Sequence, residues 1–327
     1  MTDATNRPLA GVLPFPPAAE REALTVATLA DLYMAAYKGR DRSRLHYLDE
    51  WIKLIGTHRV RDLDADLVAD NLSAWAAQPG RRFLGRDPVT REPRYKNLGP
   101  RSAASANRMR SALSALLRYA KRQRFLPRGW ANPVLDVEAE REDNARTRFL
   151  TDAERERLLR VARLSKWNKL HLLVLMAVTT GARRGELLGL TYGDLDLDAG
   201  SAYLRTSKNG EPRVLPLVPV VVAEIRRFGD KDDDVRLFAA KYHADKPMSF
   251  GTVWRTALKQ ASIENFRFHD LRHSCASYLA QSGASLAEIA DVLGHKSLDV
   301  TRRYAHLTVD SKRRLVQRVL GGIGSAA

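Results

Sequence analysis

Apolar residues return at three- and four-residue spacing along most of this 327-residue chain, which confines it to a mainly helical fold. Leu29, Leu32, Tyr33 and Ala36 share one face of a helix over about 26–38. Leu45, Leu48, Trp51, Ile52 and Ile55 do the same over about 41–55, and a third helix over about 63–76 follows Asp62 as its cap. A strand signal stands out in one place, where residues 201–206 and 212–217 flank Asn209-Gly210, a dipeptide suited to a tight hairpin turn. Further helices are expected over about 101–124, 151–164, 168–180, 183–190, 218–228, 249–261, 269–282, 286–293 and 298–306. Thr151 with Glu154 and Ser285 with Glu288 have the spacing of capping boxes, and Gly294 is placed to end a helix.

Composition shifts divide the chain. Residues 1–23 are rich in proline and read as a mobile leader. A helical domain spans 24–135, a charged linker 136–149, a second domain 150–310, and a C-terminal helix and tail 311–327. Residues 78–100, with their prolines, glycines and six Lys/Arg, read as a long basic loop inside the first domain. No run of about 18 apolar residues is present, and no charged segment leads into an apolar one at the N-terminus, so no membrane partner and a cytoplasmic location are expected. The lone cysteine, Cys275, excludes an internal disulfide and a multi-cysteine metal site and reads as a small core residue.

The net charge of +16 points to an anionic polymer, and its distribution sharpens that reading. Residues 81–128 carry 14 Lys/Arg against two Asp/Glu, whereas residues 1–80 are slightly acidic. At 100° per residue, the 101–124 helix gathers Met109, Leu113, Leu116, Leu117 and Ala120 on one face. Arg101, Ala104, Arg108, Ser111, Ala115, Arg118 and Arg122 fall on the other. Small residues among arginines let a helix approach a duplex closely, so Arg101, Arg108, Ser111, Arg118 and Arg122 are candidate DNA contacts.

The chemistry-bearing residues lie in the second domain. A phosphate-binding G-x-x-x-x-G-K-[ST] loop and an H-E-x-x-H zinc motif are both missing. His269 and His273 stand four apart on a helix, as metal ligands can. No third ligand follows them, and Arg272 between them would repel a cation, so neither a metal nor another cofactor is expected. What is present is a series of cations leading to one late tyrosine. Arg183 lies in Thr-Gly-Ala-Arg-Arg-Gly-Glu186, Lys208 directly before the Asn-Gly turn, and His269 and Arg272 in His-Asp-Leu-Arg. His295 lies in Leu-Gly-His-Lys, and Tyr304 follows nine residues later.

That order of residues resembles the tyrosine recombinase family, also called phage integrases. The resemblance covers about 150–310 as the catalytic domain and, more loosely, 24–135 as a SAM-like helical core-binding domain. It implies a mostly α catalytic domain with a small β-sheet, the two domains forming a clamp around DNA. Arg183 matches the first catalytic arginine, Lys208 the hairpin lysine, His269 and Arg272 the His-x-x-Arg pair, His295 the second histidine and Tyr304 the nucleophile. Glu186 matches an acidic position that orders the site. The two arginines can offer planar forks to a phosphate whose oxygens gain charge, which makes a metal unnecessary. His269 is the candidate base for Tyr304, Lys208 the acid for the leaving 5′ oxygen, and His295 a phosphate donor. The implied activity is breakage and rejoining of DNA at specific sites through a 3′-phosphotyrosyl bond, to integrate or excise a mobile element. Resolution of chromosome or plasmid multimers uses the same chemistry, and a non-catalytic DNA-binding protein is the alternative of another class. The implied partners are duplex recombination sites, a homotetramer on paired sites that is monomeric in free solution, and accessory DNA-bending or directionality proteins. Leu315, Val316, Val319 and Leu320 form an apolar stripe on the C-terminal helix, which docks either on its own domain or on a neighbouring subunit.

Overall fold

The structure is a computed structural model that describes residues 22–39, 41, 43–142, 148–205, 212–229, 231–240 and 243–321. Nearly all of the leader, Lys208 with the Asn209-Gly210 turn, and the last six residues lie outside the described residues. The chain is mostly helical with small antiparallel sheets, and it divides into two units, Met1–Asn144 and Ala145–Ala327.

Among the described residues the first unit packs four α-helices, α1 (Val26–Ala35), α2 (Ser43–Ile55), α3 (Ala65–Ala77) and α4 (Ala103–Arg122), around one apolar core. Leu29, Leu48, Trp51, Ile55, Met109, Leu113, Leu116 and Leu117 are fully buried there. Trp51 also satisfies its ring N–H, donating to the Met109 carbonyl at 2.8 Å, so its large apolar surface enters the core without stranding a donor. The cap of α3 is Asp64, whose carboxylate accepts from the Leu67 N–H at 2.8 Å, and not Asp62, which lies in a 3-10 turn. The two aspartates are two residues apart, and the apolar pattern fixes a helix start no more finely than that.

Residues 78–100 are not a loop. They form a two-stranded antiparallel ribbon, β1 (Pro79–Arg86) and β2 (Pro93–Pro100), between α3 and α4. The Asp87 carboxylate accepts from the N–H groups of Val89 and Thr90, and the Asp87 N–H donates to the Glu92 carbonyl at 2.8 Å, which closes the turn. The strands buried no face from which alternation could arise: every residue of β2 is exposed.

The second unit is built around α6 (Leu170–Thr180), in which every residue except Thr179 is buried. A helix apolar on all sides belongs at the centre of a domain. Around it lie α5 (Asp152–Arg163), α7 (Arg184–Gly189), α8 (Pro219–Arg226) and α10 (Asp270–Ser282). Thr151 and Glu154 form the expected capping box at the start of α5, and Ser285 and Glu288 form another at α11 (Leu286–Leu293). The expected hairpin is the edge of a three-stranded antiparallel sheet ordered β3 (Leu195–Asp196), β4 (Ser201–Leu204), β5 (Arg213–Pro216). A second small pair, β6 (Ala239–Ala240) with β7 (His243–Pro247), precedes α9 (Gly251–Gln260). After α11 come α12 (Leu298–Thr301), a 3-10 turn over Arg302–Thr308, and α13 (Val309–Leu320), on which Val316, Val319 and Leu320 are exposed. Among the described residues no helix is long and apolar enough to cross a membrane.

Candidate active site

Two left-handed glycines set the frame of the site. Gly181, at φ +61°, ends α6 and turns the chain so that Arg183 caps α7. Gly294, at φ +65°, ends α11 and delivers His295. A Cβ on Gly181 would lie 2.3 Å from the Leu293 side chain, and one on Gly294 would lie 3.0 Å from the Arg213 side chain, so both positions need the missing side chain as well as the backbone freedom. Helix α10 is anchored by Ser274, whose hydroxyl accepts from the Leu150 N–H, and by Tyr278, whose hydroxyl donates to the Leu150 carbonyl.

Two arginines converge on one buried carboxylate, and a third lies close by. Glu186 accepts from the Arg183 backbone N–H at 2.8 Å, the Arg183 guanidinium at 2.7 Å and the Arg213 guanidinium at 2.8 Å. Burial pushes the Glu186 carboxyl up, but these donors outweigh it and hold the group below its ordinary value. Arg213 also donates to the Val292 carbonyl at 2.7 Å, which ties β5 to the end of α11 just before His295. Arg272, 4% exposed, donates one nitrogen to the Gly181 carbonyl at 2.7 Å. Its other terminal nitrogen is buried and meets no acceptor among the described residues. Burial and the nearby Arg183 and Arg213 push the Arg272 guanidinium down to about 10, a displacement that an anion at this point would relieve.

Tyr304, 4% exposed, reaches this cation cluster from the 3-10 turn. Its hydroxyl lies 2.5 Å from Nδ1 of His273. Burial raises the tyrosine above its ordinary value, while Arg303 and Arg272 pull against that. Burial and the neighbouring His269 push His273 down to about 4. The imidazole is therefore neutral at neutral pH and the phenol protonated, so Tyr304 O–H donates and Nδ1 accepts, with the imidazole proton on Nε2. His295 is likewise held near 4, by burial and by Arg272 and Arg183, and its Nδ1 lies 2.8 Å from the hydroxyl of buried Thr301. His269 stacks edge-on against His273, ring centroids 5.4 Å apart, and burial followed by Arg272 lowers it too.

The structure thus brings Arg183, His269, Arg272, His295 and Tyr304 into one neighbourhood. The side chain bonded to the tyrosine is His273, whereas the sequence reading gives that place to His269. His273 stands out in the sequence only as the i, i+4 companion of His269. Arg213 has no sequence signal beyond its place on the strand returning from the hairpin.

The basic face of α4 is partly as expected. Arg108, Ser111, Arg118 and Arg122 are exposed along it. Arg101 is not on it. The helix starts at Ala103 with Ser102 as its extended cap, so the helical angle does not carry back to residue 101. The Arg101 guanidinium instead lies 4.1 Å over the Trp75 ring, donates to the Trp75 carbonyl at 2.6 Å and faces Glu50.

Residues 148–310 match the model of the phage integrase family. A tyrosine recombinase XerA of Pyrococcus horikoshii is 31% identical over 204 residues, which are 58% of this chain and 70% of that one. The chain belongs to the tyrosine recombinase family. The shufflon-specific DNA recombinase of Escherichia coli is 32% identical over 200 residues, 58% of this chain, and this tyrosine recombinase spans about half (49%) of that relative's length. The Tn1549 transposon integrase, solved in complex with a circular intermediate DNA, shares the fold with a TM-score of 0.66 at 18% identity, over 90% of this chain and 99% of that one.

Proposed function

We propose that the protein is a site-specific DNA recombinase that cuts and rejoins duplex DNA through a 3′-phosphotyrosyl bond on Tyr304. The observation that carries this reading is the buried Arg272 nitrogen without an acceptor among the described residues, set beside two further guanidiniums that share one carboxylate and beside a buried tyrosine hydroxyl. A phosphate oxygen supplies the missing acceptor and the missing negative charge together.

In this scheme Arg183, Arg272 and His295 hold the scissile phosphate. The Tyr304 oxygen attacks phosphorus as its proton passes to Nδ1 of His273, and the bond to the 5′ oxygen breaks. Lys208, which lies outside the described residues, is retained as the acid that protonates that oxygen, on the strength of the family resemblance. His269, edge-on to His273, orients it. The phosphotyrosyl bond conserves the phosphodiester, so a second 5′-hydroxyl reverses the step and rejoins the strands. The exposed arginines of α4 hold the flanking duplex. On the same resemblance the enzyme acts as a tetramer on paired sites, and the exposed Val316, Val319 and Leu320 of α13 dock on its own domain or on a neighbouring subunit. Integration or excision of a mobile element is the biological role we favour.

The test uses a pool of nicked duplexes of randomised sequence, because the target site is not specified. An SDS-stable protein–DNA adduct is expected with the unaltered chain and none with Tyr304→Phe. Equal adduct from both would overturn the assignment.

A further inference from the structure

The β1–β2 ribbon has no role in the chemistry above, yet it is an expensive thing for a chain to keep. A two-stranded ribbon is marginal in water unless another layer covers it, and here the second strand is exposed throughout. Phe83, Leu84, Tyr95 and Leu98 are each more than half exposed, and Phe83 and Tyr95 meet edge-to-face across the strands with ring centroids 5.7 Å apart. The ribbon is nevertheless built to a definite shape. Its turn is closed by Asp87 and by the Arg86 guanidinium, which donates to the Arg91 carbonyl at 3.0 Å. Gly85 at φ +117° and Gly99 at φ +77° have open space where a Cβ would be, so backbone twist and not crowding selects glycine there. The stretch carries six Lys/Arg against two acids. One of the acids, Asp87, is engaged in the turn, and no ion pair to Arg81, Arg94 or Lys96 is present among the described residues.

We propose that this ribbon is a second DNA-binding element that enters the major groove beside the duplex held by α4. The inference rests on the recombinase reading. Charge complementarity selects the occupant: a ribbon with six Lys/Arg against two acids, and with exposed apolar side chains along its strands, fits a polyphosphate surface. Geometry selects the groove. The major groove, about 12 Å wide, admits a two-stranded ribbon in undeformed duplex, whereas the minor groove, about 6 Å wide, takes one only when the duplex is widened or bent. Arg81, Arg94 and Lys96 contact phosphates, and Phe83 and Tyr95 supply apolar contact to base edges.

The test titrates the full chain and its Arg81→Ala/Arg94→Ala/Lys96→Ala variant with a 40-base-pair duplex at several salt concentrations. Each lost phosphate contact removes about 0.9 from the log–log salt slope, so the variant's slope should be shallower by about 2.7. Between 50 and 200 mM salt the parent should then lose about 40-fold more affinity than the variant. Netropsin, which fills the minor groove, should leave this difference in place, and methyl green, which fills the major groove, should abolish it. As a check that needs no variant, DNA should slow acetylation of Lys96 in the unaltered chain. The inference is overturned if parent and variant share one slope, if netropsin alone abolishes the difference, or if Lys96 reacts equally fast in bound protein. A variant that binds DNA as the parent does but loses self-association would mark the ribbon as a protein contact and overturn it as well. Failure of the parent itself to bind DNA would count against the recombinase reading instead.

Discussion

Neutralising Glu186 tests the electrostatic frame of the site. Its side chain is 4% exposed and bridges Arg183 and Arg213. Removing one partner of a buried ion pair typically costs about 3–5 kcal/mol, because the remaining charge is stranded. Glu186→Ala strands two guanidiniums beside a third, Arg272, so a loss at the upper end of that range is expected. Glu186→Gln keeps one acceptor oxygen but turns an amide N–H₂ toward a guanidinium, and should lose about 1.5–3 kcal/mol, the scale of a charged hydrogen bond. Either value is a large share of the total stability of a domain, about 5–15 kcal/mol. Calorimetry on the full chain reads the loss as a lower melting temperature. Sulfate provides the decisive comparison: it should raise the melting temperature of the variants more than that of the parent, because an anion replaces the missing carboxylate charge. The acid response follows from the same contacts. A carboxyl held below its ordinary value contributes stability that is fully present above that value and is lost as pH falls through the folded-state value. Glu186→Gln should therefore flatten stability across the acid range. A loss under about 1 kcal/mol, with no differential response to sulfate, would refute the shared-carboxylate account.

Other outcomes follow from the same geometry. His273→Ala should slow single-turnover adduct formation by about 10²–10⁴-fold, the usual scale of general-base help. Raising the pH should restore part of the rate as the phenolate forms unaided, and an unchanged rate would return the base assignment to His269. Because His273 and His295 are held near 4, the unfolded chain binds more protons than the folded one between about pH 6.5 and 4. Urea midpoints should fall as pH is lowered through that window, and less so in His295→Asn. Arg108→Ala and Arg118→Ala should each lower the salt slope of DNA binding by about 0.9, and no change would remove the α4 face from the DNA contact.

Much of this fold is legible in the sequence because helices bury one stripe and record it. The heptad-like spacing of Met109, Leu113, Leu116 and Leu117 gives α4 and its core face directly. The β1–β2 ribbon leaves no such record. It buries no face, so Phe83 and Tyr95 meet across strands with no period-2 pattern to announce them. In the site, the arginines, histidines and tyrosine are recognisable by their order along the chain. Their pairing is not, because it depends on how α10 and the 3-10 turn face each other. His269 and His273 lie one turn apart on nearly the same face, and only the packing of Tyr304 among Cys275, Ala276 and Leu293 decides which imidazole the hydroxyl meets. Arg213 shows the same limit from the other side. Its strand position is readable, but its union with Glu186 is a contact between residues 27 apart in sequence. Arg101 shows how a helical wheel misleads one residue past a cap.

The most direct measurement is the chemical identity of the protein–DNA bond. After reaction with nicked duplexes, nuclease and trypsin digestion should leave a nucleotide on the peptide that begins at Tyr304, which follows Arg303 and ends at Lys312. A 3′-phosphate ester on the Tyr304 oxygen and a free 5′-hydroxyl on the released strand are expected. A 5′-phosphate linkage, or a nucleotide on any other residue, would contradict this assignment.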